Sequence, residues 1–292
     1  MLNKRLVRKQ LLFFICGSIF LATSVMAQDV YQRTLDADVQ HYLFNLSLND
    51  DTNEIIGEAE ISVDFKNSTD IFNLDLIGKN GVYGMEIIEV LENDEKTIFS
   101  YVDDKIMIST SLDSTLKSTY KIKYRGIPER GLVIDTTKYG QRSFVGDNWP
   151  NLARHWLPSV DHPYDKASIE FRITAPEHYD VVATGIKKEE RNLGNGYKVT
   201  SYMEPAVVAT KVVTIGVTNF AFKDLGTVGD IEVSAWVYPE NSLEGFNDFK
   251  TEHILNYQFP GITSLTKDYE KLIKKKRSFR FTNSALPLPE EY

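Results

Sequence analysis

The chain has 292 residues, 42% of them hydrophobic, and a formal net charge of −8. An acidic chain repels a phosphate backbone, so this charge predicts no nucleic-acid partner. The single cysteine, Cys16, lies near the N-terminus, which excludes an intrachain disulfide and a zinc site built from several cysteines.

Residues 1–27 have the pattern of a secretory signal peptide. An apolar run over residues 11–21 is followed by Val25 and Ala27, the small residues that a signal peptidase recognises. The run is shorter than the about 20 residues of a membrane span, so we expect cleavage after Ala27 and a secreted or periplasmic protein without a stable membrane anchor. An uncleaved anchor is the alternative. Four basic residues precede the run: Lys4, Arg5, Arg8 and Lys9.

From residue 39 to residue 237 the sequence predicts strands almost throughout. Long alternation of apolar and polar residues is typical of strands with one buried and one solvated face. Asn195-Gly196 between apolar runs predicts a tight hairpin turn. Residues 28–238 are therefore expected to form a mainly β domain, an antiparallel β-sandwich or a set of curved sheets. The clearest alternation covers four stretches: residues 42–48, 55–66, 120–125 and 169–173.

The pattern changes near Pro239. Apolar residues at near-helical spacing, with acidic residues in the first turns, predict a helix from Ser242 to Tyr257. The residues after it are too few to bury a core of their own. Residues 239–292 are thus expected to be the start of a truncated helical domain followed by an irregular tail.

The most unusual stretch of the chain is residues 146–167. It contains two of the three tryptophans, three prolines, two histidines and three aspartates. Prolines prevent regular strand pairing, and large aromatic side chains favour burial. The composition therefore predicts a rigid, partly buried loop that presents polar groups to a ligand.

These residues resemble the N-terminal domain of the aminopeptidase N family of zinc metallopeptidases, the gluzincins. The resemblance begins at residues 35–42, is sharpest over residues 153–167, and continues through Ala175-Pro176 to residues 211–217, which are similar to the last sandwich strands. It implies a saddle-like β domain. The residues that match the family's Arg…Pro…Asp-x-Pro…Lys-Ala block, with the tryptophan inside it, are Arg154, Trp156, Pro158, Asp161, Pro163 and Lys166.

In that family the chemistry belongs to a following domain, where two histidines of an H-E-x-x-H motif bind zinc and the glutamate acts as base. Neither this motif nor the family's Gly-x-Met-Glu-Asn strand occurs in the printed sequence. The resemblance thus implies a chain truncated before the catalytic domain, with no catalytic residue, metal ligand or cofactor of its own. One zinc ion is expected in the complete enzyme, and the expected partners are peptide N-termini and the missing catalytic domain.

The family places an acid or amide shortly before the block's arginine, on a loop that contacts the substrate's ammonium group. The corresponding residues here are Asp147, Asn148 and Trp149, which we expect to bind substrate, Asp147 through a charge-assisted hydrogen bond. Asp147 could instead cap the turn before Pro150.

Two other pairs in this stretch are candidates for a site. Arg154 and Asp161 are expected to form a buried structural ion pair rather than a catalytic pair. Trp156 and Pro158 are expected to pack against the rest of the domain. His155 and His162 match no recurrent metal-ligand spacing.

The predicted function is the N-terminal scaffold and one side of the substrate cleft of a secreted zinc aminopeptidase, inactive by itself. The alternative is a stand-alone secreted β-sandwich that binds protein or glycan through the loop at residues 147–156.

Overall fold

The computed structural model describes residues 29, 31, 33–111, 116–228, 231–248 and 281–282. The chain divides into two compact units, Met1–Arg33 and Thr34–Tyr292. In the first unit Arg33 forms an ion pair with Asp29. The predicted signal peptide lies outside the described residues. Within them, no helix is long and apolar enough to cross a membrane.

The second unit is mainly β, which confirms the predicted fold class. A single α-helix, α1 (Ser242–Asp248), and three short 3-10 turns, Ala153–His155, Thr210–Val212 and Pro239–Asn241, are found in the described residues. The strands there are β1 (Ala37–Ser47), β2 (Ile55–Phe65), β3 (Ile71–Asp75), β4 (Gly84–Glu92), β5 (Glu95–Lys96), β6 (Phe99–Val102), β7 (Lys105–Ser109), β8 (Lys117–Ile127), β9 (Leu132–Thr136), β10 (Arg142–Gly146), β11 (Ala167–Pro176), β12 (Asp180–Ala183), β13 (Ile186–Asn192), β14 (Tyr197–Val208), β15 (Ile215–Thr218), β16 (Ala221–Val228), β17 (Ile231–Val237) and β18 (Phe281–Thr282).

These strands form four sheets. The largest has the order β13-β14-β11-β1-β2-β8-β4-β5, and the others have the orders β12-β15-β10-β9, β3-β7-β6 and β16-β17-β18. Most neighbours are antiparallel, as predicted, but β1 pairs with β11 in parallel, with His41 opposite Ser168 and Ser47 opposite Thr174. A parallel pair needs a long crossover connection, and here the intervening strands and the unusual loop provide it.

A row of packed aromatic rings connects the core of the large sheet to the unusual loop at residues 146–167. Tyr42 stacks on Phe44 with ring centroids 5.4 Å apart, and Phe44 lies 5.6 Å from Phe171 of β11. Trp156 of the loop then stacks on Phe171 at 6.3 Å, with the two ring planes 8° apart. The inward face of β1 and β11 therefore fixes the loop against the sheet.

Two local predictions can be compared with the structure. The Asn195-Gly196 dipeptide lies in the hairpin that joins β13 to β14, which is closed by a 2.9 Å hydrogen bond from Leu193 N to Tyr197 O. Gly196 has a φ of 83°, which glycine adopts without strain. Helix α1 begins at Ser242 as predicted, but residues 249–257 of the predicted helix lie outside the described residues.

Candidate functional site

The loop that joins β10 to β11, residues 147–166, is anchored at its start by the backbone. Asp147 N donates to Gly131 O at 2.7 Å, and Leu152 N donates to Asn148 O at 3.0 Å. Gly131 has a φ of 76°, and a Cβ there would lie 2.1 Å from Leu152 O. Only glycine permits this close approach, so the β9–β10 hairpin and the loop pack backbone against backbone.

Asn148 holds the loop from inside. Its side chain is buried, with 2% of the residue exposed. Its Nδ2 donates to Thr210 O at 3.1 Å and to Val213 O at 3.0 Å, while its Oδ1 accepts from Trp156 Nε1 at 2.8 Å. The side chain of Asn148, expected from the sequence to bind substrate, thus points into the protein and ties the loop to the Thr210–Val212 turn.

Asp147 and Trp149, on either side of Asn148 in sequence, are exposed instead. Trp149 is 63% exposed, and Lys211 Nζ lies 4.5 Å from the centroid of its ring. Asp147 Oδ1 accepts a hydrogen bond from Trp149 N at 3.3 Å, the turn cap that the sequence offered as an alternative role. The structure therefore gathers Asp147, Trp149 and Lys211 at one place on the surface.

A second feature of the loop is a buried ion pair between Arg154 and Asp161. Asp161 Oδ2 accepts from Arg154 Nε at 3.1 Å and from Arg154 N at 3.2 Å, and Asp161 O accepts from Arg154 Nη2 at 2.9 Å. Arg154 Nη2 also lies 3.7 Å from Asp75 Oδ2. Asp75 and Asp161 are each 1% exposed, so their charges depend on these partners.

Lys105 completes what we call the buried charge cluster, defined as Asp75, Lys105, Arg154 and Asp161. Lys105 forms an ion pair with Asp75, whose Oδ2 also accepts from Asp161 N at 3.0 Å. Thr210 Oγ1 donates to Asp161 Oδ1 at 2.8 Å. The cluster therefore joins β3, β7, the loop and the Thr210–Val212 turn.

Asp75, Lys105, Thr210 and Lys211 were not predicted as site residues. Of these four, Asp75 could have been noticed in the sequence, because its carboxylate lies in the largely apolar stretch of β3. The family resemblance predicts that Lys211 begins a strand. The residue lies instead in a 3-10 turn, and the next strand starts at Ile215.

The remaining block residues divide into buried and exposed ones. Trp156 and Pro158 are buried, whereas Pro163 and Lys166 are exposed. Val160 N donates to the hydroxyl of Tyr42 at 3.0 Å. The block thus contributes packing and backbone hydrogen bonds at one end and solvated residues at the other.

Two titratable groups of the loop have unsatisfied atoms. His155 Nδ1 is buried without a hydrogen-bond partner, and burial lowers the pKa of this imidazole. Asp165 Oδ1 accepts from Val39 N at 3.3 Å, but its Oδ2 has no partner, and burial raises the pKa of this carboxyl to about 7. Among the described residues, no group of three or more His, Cys, Asp or Glu side chains could hold a metal ion. Those residues therefore do not fit a zinc ion.

Comparison with known proteins identifies the family. Residues 38–211, more than half of the chain, match the peptidase M1 N-terminal domain. This chain belongs to that family. The matched range contains the whole loop and the buried charge cluster, and Lys211 is its last residue.

Several relatives of this M1 N-terminal domain are longer proteins. The probable aminopeptidase 2 of Sulfurisphaera tokodaii is 24% identical over 166 residues, which are 56% of this chain and 20% of the relative. The M1 zinc metallopeptidase of Deinococcus radiodurans is 20% identical with a TM-score of 0.58, over 69% of this chain and 47% of that one. Leukotriene A4 hydrolase of Saccharomyces cerevisiae is 18% identical with a TM-score of 0.64, over 85% and 37%. The chain thus spans about a fifth of the curated relative and less than half of these two structures, whose likeness concerns the fold.

Proposed function

We propose that this chain is the N-terminal part of a secreted zinc aminopeptidase, in which it forms a scaffold and one side of the substrate cleft. Membership of the M1 N-terminal domain family supports the proposal, because the relatives include a probable aminopeptidase and zinc metallopeptidases. The Deinococcus radiodurans relative has also been crystallised with a Tyr-Ser-Ala substrate. That tripeptide is the kind of ligand we propose for the complete enzyme.

The observation that carries the proposal is the alternation of exposed Asp147, buried Asn148 and exposed Trp149. An aminopeptidase must distinguish a free ammonium group from an internal amide, and a carboxylate does so by charge. Because Asn148 is held by three hydrogen bonds, Asp147 is presented without further ordering of the loop. Such preorganisation lowers the entropic cost of binding.

The zinc ion of the complete enzyme would polarise the scissile carbonyl and activate a water molecule. The described residues offer no ligand set for it. The residues of this chain therefore act by binding and orientation: Asp147 receives the ammonium group, and Asn148 and the buried charge cluster keep Asp147 in place. By itself the printed chain, without an H-E-x-x-H motif, is expected to release no N-terminal residue from peptides.

The ammonium-binding role can be tested on the 292-residue chain by NMR, with the indole Nε1–H of Trp149 as the probe. L-Phenylalaninamide has a free ammonium group, and N-acetyl-L-phenylalaninamide does not. We expect millimolar binding of the first compound only, weakened about fivefold in Asp147→Asn, which loses the charge but keeps the turn cap.

The matched control for this test is Asp224→Asn. Asp224 is an exposed aspartate whose Oδ1 accepts from Gly226 N at 2.8 Å, so it forms the same kind of turn as Asp147. The control should bind like the wild type. Equal binding of the free and the acetylated amide would refute the ammonium-binding role and favour a stand-alone binding module.

The proposal of a larger exported enzyme has its own test. Antibodies against the described part of the chain would isolate the native protein from its source cells. We expect a mass above the 33.3 kDa of the printed sequence, stoichiometric zinc, and an N-terminus at Gln28. A zinc-free protein no larger than the printed chain would contradict the enzyme, and an intact residue 1 would contradict cleavage of the leader.

A further inference from the structure

Lys211 and Asp147 bring opposite charges to the same exposed tryptophan. Lys211 Nζ lies 4.5 Å from the ring centroid of Trp149, and Asp147 accepts a hydrogen bond from Trp149 N. In the described part of the chain neither Lys211 nor Asp147 forms a salt bridge, whereas many other surface charges do. A ligand with an ammonium and a carboxylate group could therefore pair with both.

Lys211 is held in position as firmly as Asp147. It lies between Thr210 and Val213, which are buried and whose carbonyl oxygens both accept from Asn148 Nδ2. The hydroxyl of Thr210 donates to Asp161 of the buried charge cluster. Stacking on the indole also restricts the long lysine side chain, so less conformational entropy is lost when its ammonium binds a ligand.

We propose that Lys211 and Trp149 form a carboxylate-binding subsite for short peptides whose free ammonium group lies on Asp147. The carboxylate that Lys211 binds belongs to the second residue of the peptide. In an extended peptide this carboxylate lies about 7 Å from the N-terminal nitrogen. It is either a C-terminal carboxylate or an acidic side chain. The exposed face of Trp149, with Val212 at 53% exposure beside Lys211 in sequence, offers apolar surface to the peptide. This subsite rests on the proposed function, since Asp147 sets the direction of the peptide.

The subsite can be tested with three dipeptides that share a free ammonium group: Phe-Ala, Phe-Ala amide and Phe-Asp amide. Each is titrated into the 292-residue chain with the indole Nε1–H of Trp149 as the NMR probe. We expect Phe-Ala to bind about fivefold more tightly than Phe-Ala amide at low salt. In Lys211→Met this preference should disappear while binding of Phe-Ala amide stays unchanged. Phe-Asp amide, which carries its carboxylate on the side chain of the second residue, should likewise bind more tightly than Phe-Ala amide.

Lys138→Met is the matched control, because Lys138 Nζ lies 4.9 Å from the centroid of the Tyr139 ring, in a similar surface pair. It should keep the full preference for Phe-Ala. Equal affinities of all three dipeptides, an unchanged preference in Lys211→Met, or no binding of Phe-Ala would each overturn the subsite.

Failure of the subsite and failure of the proposed function give different results. If the three dipeptides bind equally but Asp147→Asn weakens all of them, the subsite is wrong and the ammonium-binding role stands. If acetylation of the peptide nitrogen has no effect, the ammonium-binding role is wrong.

Discussion

The buried charge cluster and the outer face of β8 use the same ion-pair chemistry in two different environments. In the cluster, Asp75 and Asp161 are each 1% exposed, and their oxygens also accept from two backbone N–H groups and from the hydroxyl of Thr210. On the outer face of β8, basic residues pair with acids on β2 and β4 in what we call the surface ladder. Its pairs are Lys117–Asp64 at 2.8 Å, Lys121–Glu60 at 3.6 Å, Lys123–Glu89 at 3.0 Å and Arg125–Glu86 at 3.3 Å.

The difference between the two regions lies in what remains when one partner is lost. A charge in the surface ladder returns to water at little cost, and exposed pairs contribute little to stability. In the buried cluster the carboxylates have almost no contact with water, so solvent does not replace a lost partner. The cluster should therefore dominate the stability of the loop, although it contains fewer ion pairs.

The largest effect is expected for Asp161→Ala. The change removes the carboxylate that accepts from Arg154 Nε and from the hydroxyl of Thr210, although Arg154 Nη2 keeps the backbone oxygen of residue 161 and Asp75 as partners. We expect the free energy of unfolding to fall by about 3 kcal/mol, the lower end of the range for a broken buried pair, since Arg154 is partly exposed. Urea unfolding of the 292-residue chain measures this. A loss no larger than that of a surface-ladder variant would remove the distinction between the two regions.

Asn148→Leu tests whether neutral anchors of the loop matter as much as its charges. Leucine has a similar size, but it leaves Trp156 Nε1 and the carbonyl oxygen of Val213 without a partner, and Thr210 O keeps only its backbone donor, Val213 N. We expect a loss of about 2 kcal/mol in the free energy of unfolding, the cost of buried unsatisfied groups. Asn195→Ala, which removes a hydrogen bond in an exposed turn, is the control and should change stability far less. Similar losses in both variants would contradict the anchoring role.

Asp165 gives the buried region a dependence on pH. Burial raises the pKa of this carboxyl from 3.8 to about 7, so the folded protein favours the protonated form. Its contribution to stability is complete below pH 4 and is lost as the pH rises to about 7. Asp165→Asn keeps an acceptor for Val39 N but cannot ionise. We expect the variant to be more stable than the wild type at pH 8 by roughly 2 kcal/mol, with little difference at pH 4.

Urea unfolding at several pH values from 4 to 8 measures the effect of Asp165. A constant difference between variant and wild type over this range would show that the carboxyl has an ordinary pKa in the folded state.

The smallest effect is expected for Glu89→Gln in the surface ladder. The hydrogen bond from Lys123 lowers the pKa of Glu89, which is partly exposed on the outer face of the sheet. Because water and salt screen such a pair, the midpoint of thermal unfolding should not change measurably, at low or high ionic strength. A clear loss of stability at low salt would mean that the ladder acts as a network, and the contrast with the buried cluster would weaken.

Part of the fold could be predicted from local sequence. Alternation of side chains on the two faces of a strand is a property of neighbouring residues, so β2 was predicted with nearly its observed bounds and β8 by its central residues. The start of α1 at Ser242 also follows from the local pattern. The Arg154–Asp161 pair lies within seven residues of sequence, and its buried character could be proposed from the block alone.

The rest depends on which distant residues the topology brings together. The parallel pairing of β1 with β11, the contacts of Asp75 with the loop, and the position of Lys211 over Trp149 join segments tens of residues apart. No local periodicity specifies such partners, since they depend on strand order and on the crossover that precedes β11. The sequence by itself thus determined the strands and the family block, whereas the tertiary structure decided that Asn148 faces inward, that Asp147 and Trp149 face outward, and that Lys211 joins them.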